Sequence, residues 1–239
     1  MFKVLLEAAS SLVFPVECEI CASHVEPPAA RGVCRKCAGD IRLIEPPHCA
    51  ACGRTLKSPL HPHCGECDGE GYFFDRAYAC TLYHGAMKEL LHAYKFGNQK
   101  ILKSFFVEIM MKFVRENLKP GDFDSIVAVP LDPNRRAERG FNQSEILSRS
   151  LAQGLEKPEQ SSMLGRKKSP FTQSLLNKSE RLANVKNCFF AKKQLAFAGK
   201  KILLVDDILT TGQTASECAH ALKDAGAGSV TVLALARGI

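Results

Sequence analysis

The sequence predicts an α/β protein, a doubly wound and mostly parallel sheet preceded by a small metal-stapled module. Three observations lead there. From Tyr72 onward short apolar runs alternate with amphipathic segments, the order that builds a parallel sheet with helices on its faces. Eight of the 11 cysteines fall in the first 67 residues, as four Cys-x-x-Cys pairs. The stretch VDDILTTGQT, Val205 to Thr214, follows a buried-looking apolar run with two acids, hydroxyls and a glycine.

At 239 residues and 46% apolar content the chain can bury a sizeable core, and its composition divides it into residues 1–70 and 71–239. The first part holds 7 Lys/Arg against 9 Asp/Glu and the second 25 against 16, so the formal charge of +7 splits into −2 and +9. No apolar run reaches the roughly 18 to 20 residues that span a bilayer. Glu7 interrupts the apolar opening, and no small-x-small cleavage site follows it. The expectation is a cytoplasmic protein with no integral membrane segment, whose first helix is amphipathic.

The cysteine pairs are Cys18/Cys21, Cys34/Cys37, Cys49/Cys52 and Cys64/Cys67, with 12 residues between the second and third cysteines of the first quartet and 11 in the second. Such matched spacing reads as an internal duplication of one ribbon. Each knuckle aims two thiolates at one point, and two knuckles close a tetrahedral shell around Zn²⁺ with no position left for water, which makes a structural site. The segment is too short and too rich in Pro, Gly and charge to build its own core, so metal supplies much of its folding free energy. Disulfides or redox pairs are the alternative, but four knuckles at matched spacing favour metal. Sequential quartets are preferred over an interleaved grouping. His24, His48, His61 and His63 are expected at the surface, and Cys80, Cys188 and Cys218, in apolar or helical surroundings, in the core.

Next come a strand near Ala77 to Tyr83 and helices over about Ala86 to Phe96 and Lys100 to Leu118, with apolar residues at three- and four-residue spacing. The run Phe123 to Pro130 reads as a strand covered on both faces. Asn142 and Glu145 resemble the N-cap and third position of a capping box, opening a helix to about Leu155. Residues 156–187 are polar, basic and rich in Ser, Pro and Asn, and read as a long functional loop. A strand through Ile202-Leu203-Leu204, a helix from about Thr214 to Ala225 and a last strand from Ser229 to Leu235 complete the sheet.

Ligands of such sheets bind beyond the carboxyl ends of the strands, where Asp206 and Asp207 are expected. The turn Thr210-Thr211-Gly212-Gln213-Thr214 leads straight into a helix. Its free N–H groups and the helix dipole form a phosphate cradle, and Gly212 lets the backbone approach an anion closely. The two carboxylates suit a vicinal diol, or a divalent metal bound to it, so the ligand should be a sugar phosphate. A plain capped turn remains the bland reading of an isolated Asp-Asp.

The thirteen residues Ile202 to Thr214 fit the 5-phosphoribosyl-1-diphosphate (PRPP) signature of type I phosphoribosyltransferases. The whole chain resembles the ComF competence family through its cysteine knuckles, AVPLDPNRRAERGFNQ at 128–143, FTQSLLNKSERLANVKNCF at 171–189 and that signature, in this order. The resemblance implies a double zinc ribbon followed by a type I phosphoribosyltransferase fold, in a protein of natural transformation that handles single-stranded DNA during uptake into the cytoplasm. Competence or recombination proteins are its implied partners. PRPP would be held with Mg²⁺ by Asp206, Asp207, Ile208, Leu209, Thr210, Thr211, Gly212, Gln213 and Thr214, with Pro130, Leu131 and Arg135 in the pyrophosphate loop. Asp206, Asp207 and Arg139 are the candidate catalytic residues. By the same resemblance, residues from about Arg166 to Asn184 form a loop that closes over the site, with Lys178 or Arg181 reaching the leaving group. An active enzyme transferring phosphoribosyl to a nucleobase or amine is the alternative.

Two zinc-filled quartets would change the ribbon charge from −2 to about −6, so a DNA footprint belongs on the +9 part. Arg135, Arg136, Arg139, Lys95, Lys178 and Arg181 are the candidates, with Lys100 and Lys103 nearby. Phe141, Tyr94 and Phe96 offer faces for an unpaired base.

Overall fold

The computed structural model describes residues 16–25, 32–65, 67, 71–96, 99–168 and 187–238. The amphipathic first helix expected from the sequence lies outside these residues, as do Lys178, Arg181 and the rest of 169–186.

Four strands form the main sheet: β1 (Arg76–Leu82), β2 (Ser125–Ala128), β5 (Lys201–Leu209) and β6 (Ser229–Arg237), in the order β1-β6-β5-β2 with every pairing parallel. The crossovers carry α2 (Gly85–Phe96), α3 (Gln99–Asn117), α4 (Pro133–Arg139), α5 (Gln143–Gly154) and α6 (Gln213–Asp224). A short α1 (Arg35–Gly39) belongs to the first cysteine quartet. All four residues of β2 and the run Ile202 to Val205 of β5 are buried, because a parallel sheet is covered on both faces.

Alternation along the strands then divides the core. Leu203, Val205, Leu233 and Leu235 face α2, α3 and α5, while Ile202, Leu204, Val230 and Val232 face α6. Val25, Val33, Cys37 and Ile41 join the first of these clusters, so the core runs on across the division that composition suggests near residue 70. The chain after α1 also covers the open edge of β1. Leu82 donates to the Arg42 carbonyl at 2.9 Å, Ile44 to Cys80 at 3.1 Å and Ala77 to Ala51 at 2.8 Å. An unpaired strand edge invites association, and here the ribbons blunt it.

The structure revises the sequence reading at four places. α4 takes in Arg135 and the end of what reads as the pyrophosphate loop, while Pro130 and Leu131 precede it. Its signals were present: the Asp132 side chain accepts from Asn134, Pro133 begins the helix, and Gly140 ends it at φ 78°. Residues 156–187 are not one loop. A 3₁₀ turn (Ser161–Met163) leads into β3 (Leu164–Arg166), which pairs antiparallel with β4 (Phe189–Ala191). The capping box is half formed: Asn142 accepts from Ser144 at 3.1 Å, but Glu145 turns away to hold Arg136. Finally, β5 runs on to Leu209, so Asp206 and Asp207 lie within its last turn of pairing with β6 rather than after it.

Candidate functional site

The cysteines gather as sequential quartets. In each, the four sulfurs lie within 4.8 Å of one another: Cys18, Cys21, Cys34 and Cys37, then Cys49, Cys52, Cys64 and Cys67. A tetrahedral Zn–S shell with bonds of about 2.3 Å has edges of about 3.8 Å. The observed separations match: 3.7 Å for Cys21–Cys34, 3.7 Å for Cys52–Cys64 and 3.5 Å for Cys64–Cys67. Backbone amides point at the sulfurs, Cys37 N–H at Cys34 and Cys64 N–H at Cys49, as thiolate ligands require. Both quartets therefore fit a structural zinc ion, and among the described residues neither quartet includes a histidine.

The turn between β5 and α6 is built for an anion. Gly212 is its N-cap residue at φ 84°, a left-handed conformation suited to glycine, and no side chain caps the helix. The Gln213 amide leans on the Thr211 hydroxyl at 3.5 Å, and the start of the helix otherwise faces the turn with its positive dipole end. Thr210 and Thr211 are exposed, and Gln213 and Thr214 are half-buried. Ile208 and Leu209, also named from the signature, pack their side chains into the core, so they shape the turn rather than touch a ligand. Pro130 and Leu131 are half-buried beyond the end of β2.

The two acids are engaged already. Asp206 accepts from the Ser144 hydroxyl at 3.0 Å and from the Asp207 amide at 2.9 Å. Burial, and then the charge of Asp207, push its carboxyl up to about 7 against the pull of those donors and of Lys95. Asp207 holds the Lys95 ammonium at 2.7 Å, with side-chain exposures of 14% and 19%. Lys95, expected on an open basic face, is instead the internal counter-ion of the acids.

The arginines divide similarly. Arg136 makes a two-pronged bond to Glu145, at 2.6 and 3.1 Å, which commits it to the protein rather than to a phosphate. Arg139 lies over the ring of Phe96 at 5.1 Å, and Phe96 is 64% exposed. Burial, with the neighbouring charge of Arg135, lowers the pKa of Arg139, while Asp207 acts against both. The Phe96–Arg139 pair therefore adjoins the acids. Tyr94 is fully buried in the core, and Phe141 meets it edge-on at 6.3 Å, so neither is an open stacking face.

Sequence reasoning missed several groups around this site. Ser144 reaches Asp206 from α5; Tyr72 donates its hydroxyl to the Thr211 carbonyl at 2.9 Å; Arg237, 1% exposed, donates to the Leu209 and Thr210 carbonyls. Only Arg237 carried a signal, as a cation closing the otherwise apolar strand SVTVLALAR. A separate 630 Å³ cavity between the ribbons and α3, lined by Ile41, Tyr78, Phe105 and Phe113 among others, does not include the turn.

Residues 9–68 match the double zinc ribbon domain family, and residues 138–239 the phosphoribosyl transferase domain family. Competence protein F of Haemophilus influenzae is 30% identical over 213 residues, covering 87% of this chain and 92% of that protein. Competence protein ComFC of Streptococcus pneumoniae is 34% identical over 208 residues, 86% of this chain and 87% of that one. DNA utilization protein YhgH of Escherichia coli K12 is 30% identical over 209 residues, 86% and 90%. Among the described residues no helix is long and apolar enough to cross a membrane.

Proposed function

Because the chain belongs to the ComF competence family, we propose that it serves DNA utilisation in natural transformation, handling single-stranded DNA in the cytoplasm and binding PRPP at the β5–α6 turn. The observation that carries the phosphate half is the start of α6 behind Gly212, which no side chain caps, with paired acids five and six residues upstream of that glycine. On this reading the amides after Gly212 and the hydroxyls of Thr210, Thr211 and Thr214 hold the 5-phosphate. Asp207 meets the ribose diol, Asp206 buttresses it through Ser144, and Arg139 with Arg135 faces the diphosphate. The carboxylates as they stand do not offer Mg²⁺ an open pair, since Lys95 already neutralises Asp207. Mg²⁺ would then enter on the diphosphate of PRPP.

The DNA half rests on the Phe96–Arg139 pair, an exposed ring with a guanidinium on its face beside the ligand site. Such a pair stacks an unpaired base without regard to sequence. Titrating PRPP calorimetrically with and without Mg²⁺, beside a single-strand shift assay over a salt series, tests both halves. PRPP should bind and Gly212→Val should abolish it while sparing DNA. Phe96→Ala with Arg139→Ala should weaken DNA binding and flatten its inverse salt dependence. Absence of any PRPP heat removes the phosphate half, and DNA affinity untouched by the double variant removes the other.

A further inference from the structure

We propose that the second cysteine quartet braces the β5–α6 turn through Tyr72, so that zinc in this quartet, and not in the first, holds the turn in its anion-binding shape.

Arg237 ends β6 beneath the turn and is fully buried. One guanidinium nitrogen donates to the carbonyls of Leu209 and Thr210, while Nε and the other Nη have no hydrogen-bond partner. Among the described residues no carboxylate pairs with it. From β6, Arg237 thus fixes the entry of the turn through those two carbonyls.

Tyr72 links the turn to the second quartet. Its ring packs against the buried cysteines of the second quartet, and its hydroxyl donates to Thr211 at 2.9 Å. A Cβ placed at Gly212 would come within 3.0 Å of the same ring, so Tyr72 also sets the space that the turn's glycine must leave. Phe73, the next residue, donates its amide to Ser216 at 3.0 Å in the first turns of α6. The first quartet has no such route, since its neighbours lie in the core on the α3 side of the sheet. Tyr72 is a positioning residue, acting through the turn's backbone, and only the consequence for ligand binding depends on the phosphate reading of that turn.

The test uses the full chain with both zincs bound and needs no sugar phosphate. A chromophoric chelator strips zinc while alkylation of the cysteines reports which quartet has emptied, and hydrogen exchange follows the amides of residues 210–214. In the wild-type protein those amides should exchange about tenfold faster once the second quartet empties, with β2 and β5 still protected. Emptying the first quartet should leave them unchanged. Tyr72→Phe should loosen the turn with zinc release unaltered. If Tyr72→Phe fails to fold, the wild-type time course decides alone. Turn exchange that ignores the second quartet, or follows the first equally, overturns the proposal.

Discussion

The two cysteine quartets share a spacing and differ in what surrounds them. In the first, Cys21 is exposed, and the ribbon meets the core through Val25, Val33 and Ile41 on the face of α2 and α3. In the second, Cys49 and Cys52 are 0% and 1% exposed, and the ribbon lies against the edge of β1 and the β5–α6 turn. A duplicated motif has given two metal centres of one chemistry, and packing has given them different work. The first staples helices, and the second supports the end of the sheet where the candidate site lies.

The largest contrast should appear when a ligand is lost. Cys64→Ser removes a buried sulfur from the ribbon against which Tyr72 packs, for an expected loss of about 4 kcal/mol in chemical denaturation. Cys21→Ser removes an exposed sulfur, for about 2 kcal/mol. Equal losses would dissolve the distinction between the quartets.

Glycines sharpen the contrast next. Gly53 sits at φ 70°, and a Cβ there would stand 2.7 Å from the Ala77 carbonyl, part of the backbone that pairs ribbon and β1. Gly32 sits at φ 73°, but its Cβ would meet the Ile101 side chain, which can shift. Both substitutions carry left-handed strain of about 1–2 kcal/mol, and the immovable contact should raise Gly53→Ala to about 3 kcal/mol. Denaturation midpoints check the order.

How much of this was legible follows from the range of each interaction. The knuckles and the stretch Ile202 to Thr214 are local, since the residues that bind together are written together. The order of strands and helices was legible for the same reason, through periodicity within each segment. Pairing across the chain was not. Nothing near Lys95 points to Asp207, 112 positions on, so a lysine in an amphipathic helix read as a surface cation. β3 finds β4 only in space, so a polar stretch read as loop. α4 is the different case, because Asp132-Pro133 and Gly140 are local helix signals, overridden by the expectation of an anion-binding loop.

The acids are held by groups from the first quartet's side of the sheet, Lys95 on α2 and Ser144 on α5. This face should therefore carry the pH dependence. Asp206 is raised from 3.8 to about 7, so between these values the folded protein binds more protons than the unfolded chain. Its contribution is full below the ordinary carboxyl range and is lost as pH rises through about 7. Asp206→Asn should remove that decline and gain about 1–3 kcal/mol at pH 8, read as the difference between wild-type and variant denaturation curves across pH. Zinc retention at the second quartet should not change, and a variant that released it would tie the two faces together.

The smallest effects compare single contacts beside each quartet. Tyr72→Phe deletes one hydroxyl-to-carbonyl bond at the turn and should lose about 1 kcal/mol. Lys112→Ala removes an exposed pair on α3, 3.9 Å from Glu116 with side chains 66% and 59% exposed. Such a pair contributes at most about 0.5 kcal/mol in salt. The difference is narrow, but its sign follows from burial: the tyrosine is wedged between a metal ribbon and a glycine turn, whereas the lysine stands in water. A Tyr72→Phe protein as stable as Lys112→Ala would mean that the ribbon touches the turn without holding it.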